Sequence, residues 1–124
     1  MRIIVVDDNQ DSANSLAALL QLDGHEVEAA YSAAGALERA VEFRPAVMLL
    51  DIGLPGMDGY ELARRLRATP QLTGVRLVAL TGYGRPEDQQ RTQAAGFDDH
   101  LVKPVDFPSL GRVITACRSP EIRS

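Results

Sequence analysis

Five polar residues stand at the ends of segments that read as strands: Asp7 and Asp8 after Ile3-Ile4-Val5-Val6, Asp51 after Ala46-Val47-Met48-Leu49-Leu50, Thr81 after Val75 to Leu80, and Lys103 after Phe97 to Val102. Three carboxylates brought to one place repel, at about 4 kcal/mol for a pair of unit charges 4 Å apart in an effective dielectric near 20. A positive partner must offset this. The ligands on offer are all oxygens, with no histidine or cysteine nearby, so the natural partner is a hard divalent cation, magnesium rather than zinc. Lys103, the only lysine beside twelve arginines, adds a compact ammonium. A magnesium ion, an ammonium and a hydroxyl around a carboxylate can stabilise the oxygens of a transferring phosphoryl group. Asp51 is the best-placed nucleophile, and aspartate is a recognised phosphoryl acceptor.

Positioning these residues requires an alternation of strands and helices. Ile3-Val6 and Ala46-Leu50 are apolar at every position, as in strands buried on both faces of a parallel sheet. His25 to Ala29 alternates polar with apolar and reads as an edge strand, with His25 on its surface. Helices are expected over residues 10–23, with Leu16, Leu19 and Leu20 inward and Gly24 as the stop, and after Ser32, with Ala36, Leu37, Ala40 and Val41 along one side and Pro45 fixing the end. A third helix follows Asp58 as its cap, with Leu62, Ala63 and Leu66 inward; a fourth runs from Pro86 to Ala95, and a last one from Pro108 carries Leu110, Val113, Ile114 and Cys117. Such alternation gives an α/β fold, an open five-stranded parallel sheet of (βα)5 type with helices on both faces. In open sheets of this kind the ligand crevice lies at the carboxyl ends of the strands, where these polar residues fall.

The 124 residues, 45% of them hydrophobic and 24% charged, suit a single domain over 1–124, with a core of about 2–117 and a polar tail at 118–124. The net charge of -4 and the absence of a basic, aromatic-interleaved stripe argue against direct nucleic-acid binding, and Arg64, Arg65 and Arg67 read as a solvated helix face. No apolar run approaches a membrane span, and one cysteine, Cys117, permits no internal disulfide, so a cytoplasmic setting is expected.

With its acidic pair Asp7-Asp8, the stretch Leu49-Leu50-Asp51-Ile52-Gly53-Leu54-Pro55-Gly56-Met57-Asp58-Gly59, Leu80-Thr81-Gly82 and Val102-Lys103-Pro104, the chain resembles the receiver domain of bacterial two-component response regulators across residues 2–117. Each motif alone is weak; their joint occurrence in order is specific. The resemblance implies the flavodoxin-like strand order 2-1-3-4-5, which is the order of a known member of that family. It further implies that Asp51 takes a phosphoryl group from a phosphohistidine on a sensor histidine kinase or histidine phosphotransfer domain. Asp8, Asp51 and the backbone carbonyl of Gly53 would hold Mg2+, with Asp7 acting through water. Lys103 would pair with the acceptor and then with the phosphoryl group, Thr81 would turn its hydroxyl to a phosphoryl oxygen, and the Lys103–Pro104 bond would be cis. The added charge would then bias the face made by the fourth helix, fifth strand and last helix, for an effector or for self-association.

Two positions depart from the pattern. His100 stands three residues before the lysine, where receivers usually carry Tyr or Phe; its simplest reading is a half-exposed strand histidine, with a switch role as the alternative. Gly53 offers no side chain to steer water, leaving Tyr83 as a candidate to shade the phosphoryl group. The fourth helix has only Ala94 and Ala95 as clear anchors and is expected to exchange its amides faster than the first. The main alternative is an Mg2+-dependent phosphatase with an aspartyl-phosphate intermediate. Such enzymes want an acid two residues after the nucleophile, where Gly53 stands. A flavin electron carrier would need a Ser/Thr-rich phosphate loop in place of Asp7-Asp8, and a receiver-like module that is never phosphorylated would have lost one of the key residues. The chain is therefore read as a signalling domain that catalyses only its own phosphorylation and dephosphorylation.

Overall fold

A computed structural model describes residues 1–54, 56–82 and 86–118, without the side chains of 86–89 and 118. The expectations for Tyr83 and for the tail beyond 118 lie outside the described residues. Strands and helices alternate as β1 (Arg2–Val6), α1 (Gln10–Leu22), β2 (Glu26–Ala30), α2 (Ala33–Phe43), β3 (Val47–Asp51), α3 (Gly59–Arg67), β4 (Arg76–Thr81), α4 (Pro86–Ala95), β5 (Asp99–Val102) and α5 (Phe107–Arg118), with a 3-10 turn at Pro70–Leu72. All strand pairs are parallel, in the order β2-β1-β3-β4-β5 implied by the resemblance.

Period-two alternation divides the interior into two cores. Ile4, Val6, Met48, Leu50, Leu77 and Ala79 face α2, α3 and α4, while Ile3, Val5, Val47, Leu49, Val78 and Leu80 face α1 and α5. The residues of β1 from Ile3 to Val6 are wholly buried, so both faces of this strand are covered and its sequence has no polar alternate. Each fully buried Leu or Ile contributes about 1.5–3 kcal/mol relative to exposure.

Local signals set the helix ends. Asn9 caps α1 by accepting from the N–H of Ser12 at 3.0 Å, and Gly24, at φ 92°, makes the left-handed exit that a side chain would strain. Ser32 accepts from Gly35 at 3.0 Å, and Asp58 accepts from Glu61 at 2.9 Å, as expected of both caps.

Several expectations need correction. The end of α2 is made by Arg44, left-handed at φ 53°, one residue before Pro45. Val41 and Leu19 are exposed, because the buried stripes of their helices are narrow: Ala33, Ala36 and Ala40 in α2, and Ala13, Leu16, Ala17 and Leu20 in α1. Among the described side chains of α4 the buried positions are Thr92 and Ala95, while Ala94 faces outward. The fifth strand begins at Asp99 instead of Phe97, because the Phe97 N–H is used at 3.0 Å by the carbonyl of Thr92. His25 is buried, 5% exposed, with Nδ1 3.1 Å from the Met1 amino group and Nε2 3.6 Å from Asp23.

Nor is Arg67 a solvated residue. Its Nε donates to the Gly96 carbonyl at 2.9 Å, Nη1 to the Val75 carbonyl at 2.6 Å and Nη2 to Asp98 at 2.6 Å. Asp98 also accepts from the Leu77 N–H at 2.9 Å. This fork ties the end of α3 to the starts of β4 and β5, which a lysine's point charge would do less well. Arg64 and Arg65 do form the expected exposed face, paired with Glu61.

Candidate functional site

The register of the parallel sheet builds the site. Val6 pairs with Leu50, so Asp7 stands level with Asp51 on the adjacent strand; Asp51 pairs with Leu80 and Thr81 with Val102, so Thr81 and Lys103 continue the row one step further on. Backbone bonds fix this edge: Asp7 N–H to Ala30 O at 3.1 Å, Ile52 N–H to Leu80 O at 3.2 Å, and Lys103 N–H to Thr81 O at 2.7 Å. The Lys103–Pro104 peptide is cis, as the resemblance implied.

The ammonium of Lys103 lies 3.0 Å from Asp7 Oδ2 and 3.1 Å from Asp51 Oδ2. Burial disfavours its charge, yet hydrogen bonds and attraction from Asp7 and Asp51 outweigh that and hold its pKa above the ordinary lysine value. Asp7 is the most enclosed of the three carboxylates, 3% exposed, and its Oδ1 accepts from the N–H of Asn9 at 3.0 Å. Asp51 Oδ1 accepts from the N–H of Gly53 at 2.9 Å, which orients the acceptor candidate without a side chain at Gly53. Thr81 is buried at the end of β4. His100 is half-buried on β5.

Asp7, Asp8 and Asp51 each place one oxygen within 4.8 Å of the other two. Among the described residues, Lys103 pairs with two of them and no ion pair is recorded for Asp8, which is exposed. Three carboxylates against one ammonium leave two negative charges uncompensated, and a divalent cation with oxygen preference fits that donor set. Asp8 opens to solvent, so an ion there could keep several waters, as Mg2+ does. Beside Lys103 a cleft of about 430 Å³ runs between α1 and the segment after β5, lined by Asp7, Ser12, Ser15, Leu16, Pro104 and Val105.

The structure thus brings together Asp7, Asp8, Asp51 and Lys103, with Gly53 beside Asp51 and Thr81 next in the row. Two participants went unnoticed in the sequence. Asn9 serves both as helix cap and, through its N–H, as a tether for Asp7; an Asn two residues after an Asp at a strand-to-helix turn is the signal that could have found it. Gly59 is the other: a Cβ there would lie 2.5 Å from Ile52 Cα and 2.8 Å from the Asp51 carbonyl oxygen, so the end of β3 packs directly on the start of α3.

Comparison with known proteins agrees with this geometry. The family model described as response regulator receiver domain matches residues 3–115. The two-component response regulator PhoP of Pseudomonas aeruginosa is 37% identical over 110 residues, covering 89% of this chain and 48% of PhoP, so the chain spans about half the length of that relative. Chemotaxis response regulator CheY4 of Vibrio cholerae superposes with a TM-score of 0.88 at 29% identity, over 94% of this chain and 97% of CheY4. The receiver domain of the sensor histidine kinase PA1611 from P. aeruginosa, solved with magnesium coordinated in its active site cleft, gives a TM-score of 0.84 at 30% identity, over 93% of this chain and 94% of that one.

Proposed function

The chain belongs to the response regulator receiver domain family, and from that premise we propose that residues 2–117 form the core of a receiver in which Asp51 accepts a phosphoryl group from a histidine kinase or histidine phosphotransfer domain. The observation that carries this reading is the pairing of one ammonium with both Asp7 and Asp51, beside a third carboxylate, Asp8, that forms no ion pair among the described residues. One Asp51 oxygen attacks phosphorus, the phosphorus–nitrogen bond of the phosphohistidine breaks, and its electron pair stays on the imidazole nitrogen. Lys103 holds Asp51 in place beforehand and turns to the new phosphoryl oxygens afterwards, while Thr81 donates its hydroxyl to one of them.

Asp8, Asp51 and the carbonyl of Gly53 would hold Mg2+, with Asp7 acting through water. That ion would neutralise charge on the transferring oxygens. The cleft beside Lys103, with Ser12 and Ser15 on one wall and Pro104 and Val105 on the other, gives a donor imidazole room to approach. The product carries about -1.5 to -2 charge at a fixed point, and the loops bearing Thr81 and Lys103 move to meet it, which biases α4, β5 and α5 for an effector or a second copy. The domain works in the cytoplasm and turns over only its own phosphoryl group.

Incubation with Mg2+ and acetyl phosphate, followed by intact mass, tests this. One phosphoryl adduct, lost in Asp51→Asn and in chelator, is expected; steady phosphate release from unrelated monoesters would instead make the chain a phosphatase.

A further inference from the structure

Thr81 and Lys103 lead from the acceptor towards α4 and β5 along the sheet edge. A second set of contacts leads away from the acceptor through the start of α3. The end of β3 rests on Gly59 so closely that no side chain fits there, and the Gly59 N–H donates to the Ile52 carbonyl at 3.1 Å. Any shift of the peptides after Asp51 is therefore passed to the start of α3 as a rigid contact. The next residue, Tyr60, is buried against α4 and the segment that follows it. Its ring carries the Arg91 guanidinium over its face, 4.3 Å from the centroid, and meets Phe97 edge-on at 6.4 Å. Arg91 is an exposed residue of α4, and Phe97 closes that helix by donating its N–H to the Thr92 carbonyl at 3.0 Å. Tyr60 therefore meets the carboxyl-terminal half of α4 at Arg91 and the segment that follows it at Phe97.

We infer that Gly59, Tyr60 and Arg91 form a second link from the acceptor strand to α4, and that the Arg91–Tyr60 contact latches α4 in its resting position. The role of the link in signalling rests on Asp51 being the phosphoryl acceptor; the latch itself does not. In this inference a small displacement at Gly59 shifts the balance between a stacked and a released guanidinium. A cation over an aromatic face is held by the ring's charge distribution, and lysine retains much of that attraction whereas glutamine loses it.

Amide hydrogen exchange over residues 90–95 tests the link, with and without Mg2+ and acetyl phosphate, in wild type, Arg91→Gln, Arg91→Lys, Tyr60→Leu and the Arg91→Gln/Tyr60→Leu double variant. In the untreated protein Arg91→Gln should exchange about two- to fivefold faster than wild type, the factor that loss of an exposed cation–π contact corresponds to, and Arg91→Lys should stay near wild type. The double variant should exchange no faster than Tyr60→Leu alone. Phosphorylated wild type should exchange faster than untreated wild type, and Arg91→Gln should show a smaller further increase. Wild-type exchange in untreated Arg91→Gln, or additive effects in the double variant, overturns the latch; an undiminished phosphorylation response in Arg91→Gln overturns its part in signalling. Intact mass on the same samples separates the two readings, since a missing adduct counts against Asp51 as acceptor while the untreated samples still decide the latch.

Discussion

The acidic centre predicts a change of sign for Asp8→Asn. Asp8 is exposed, and one of its oxygens lies within 4.8 Å of oxygens of both Asp7 and Asp51. At that distance in a water-like dielectric, each like-charge contact costs about 1 kcal/mol, two contacts about 2, and attraction to Lys103 returns roughly 1, leaving a net repulsion of about 1 kcal/mol. Asparagine is nearly the same size and removes it. In chelator and low salt, Asp8→Asn should therefore be more stable than wild type by about 1 kcal/mol, or about 4 °C in Tm for a domain of this size. Magnesium reverses the order. At a hundredfold excess over its Kd the ion stabilises the wild type by about 2.7 kcal/mol, while the variant, short of one ligand, gains little, so the wild type becomes the more stable by about 2 kcal/mol. Urea unfolding in chelator and in Mg2+ reads both halves. A variant less stable than wild type in chelator, or one stabilised as much by Mg2+, would refute the reasoning.

Three further outcomes follow from particular contacts. Because the folded state raises the Lys103 pKa, its contribution to stability is full below the unfolded lysine value of about 10.4 and is lost as pH rises through the higher folded value. The stability gap between wild type and Lys103→Met should thus close across the alkaline range, and a gap independent of pH would contradict the pairing with Asp7 and Asp51. Gly59→Ala should cost about 1–3 kcal/mol despite alanine's better helix propensity, since its Cβ would meet backbone atoms of Ile52 and Asp51; a neutral change in chemical denaturation would show that the contact yields. Arg67→Met should cost about 2–4 kcal/mol by stranding the Val75 and Gly96 carbonyls and unpairing Asp98, again read by denaturation, and a loss below about 1 kcal/mol would show that water replaces the fork.

What could be read from the sequence divides along physical lines. Asp7, Asp8, Asp51, Thr81 and Lys103 were legible because parallel strands put their carboxyl ends on one side, so a residue's place at a strand end is already a place in the crevice. The caps Ser32 and Asp58 were legible because each bonds an N–H three residues away. Contacts between distant segments were not. Arg67 looks like its neighbours Arg64 and Arg65 until a carbonyl 29 residues away comes within reach. His25 alternates like a surface residue, yet it is buried, with its Nδ1 beside the amino group of Met1, 24 residues earlier. In α4, Thr92 and Ala94 exchange the places that polarity assigns them, because the axial orientation of a weakly amphipathic helix is set by its neighbours. The grip on Tyr60 by Arg91 is likewise a tertiary fact that spacing alone does not encode.

The central claim is that the carboxylate sharing Lys103 with Asp7 is the one that receives phosphorus. Peptide mapping of protein treated with acetyl phosphate locates the modification directly. With Mg2+ present, a single phosphoryl group is expected on the peptide bearing Asp51, and none in chelator. Label on Asp7, on Asp8 or on a hydroxyl side chain, or label at Asp51 that forms equally well without a divalent ion, would contradict the account.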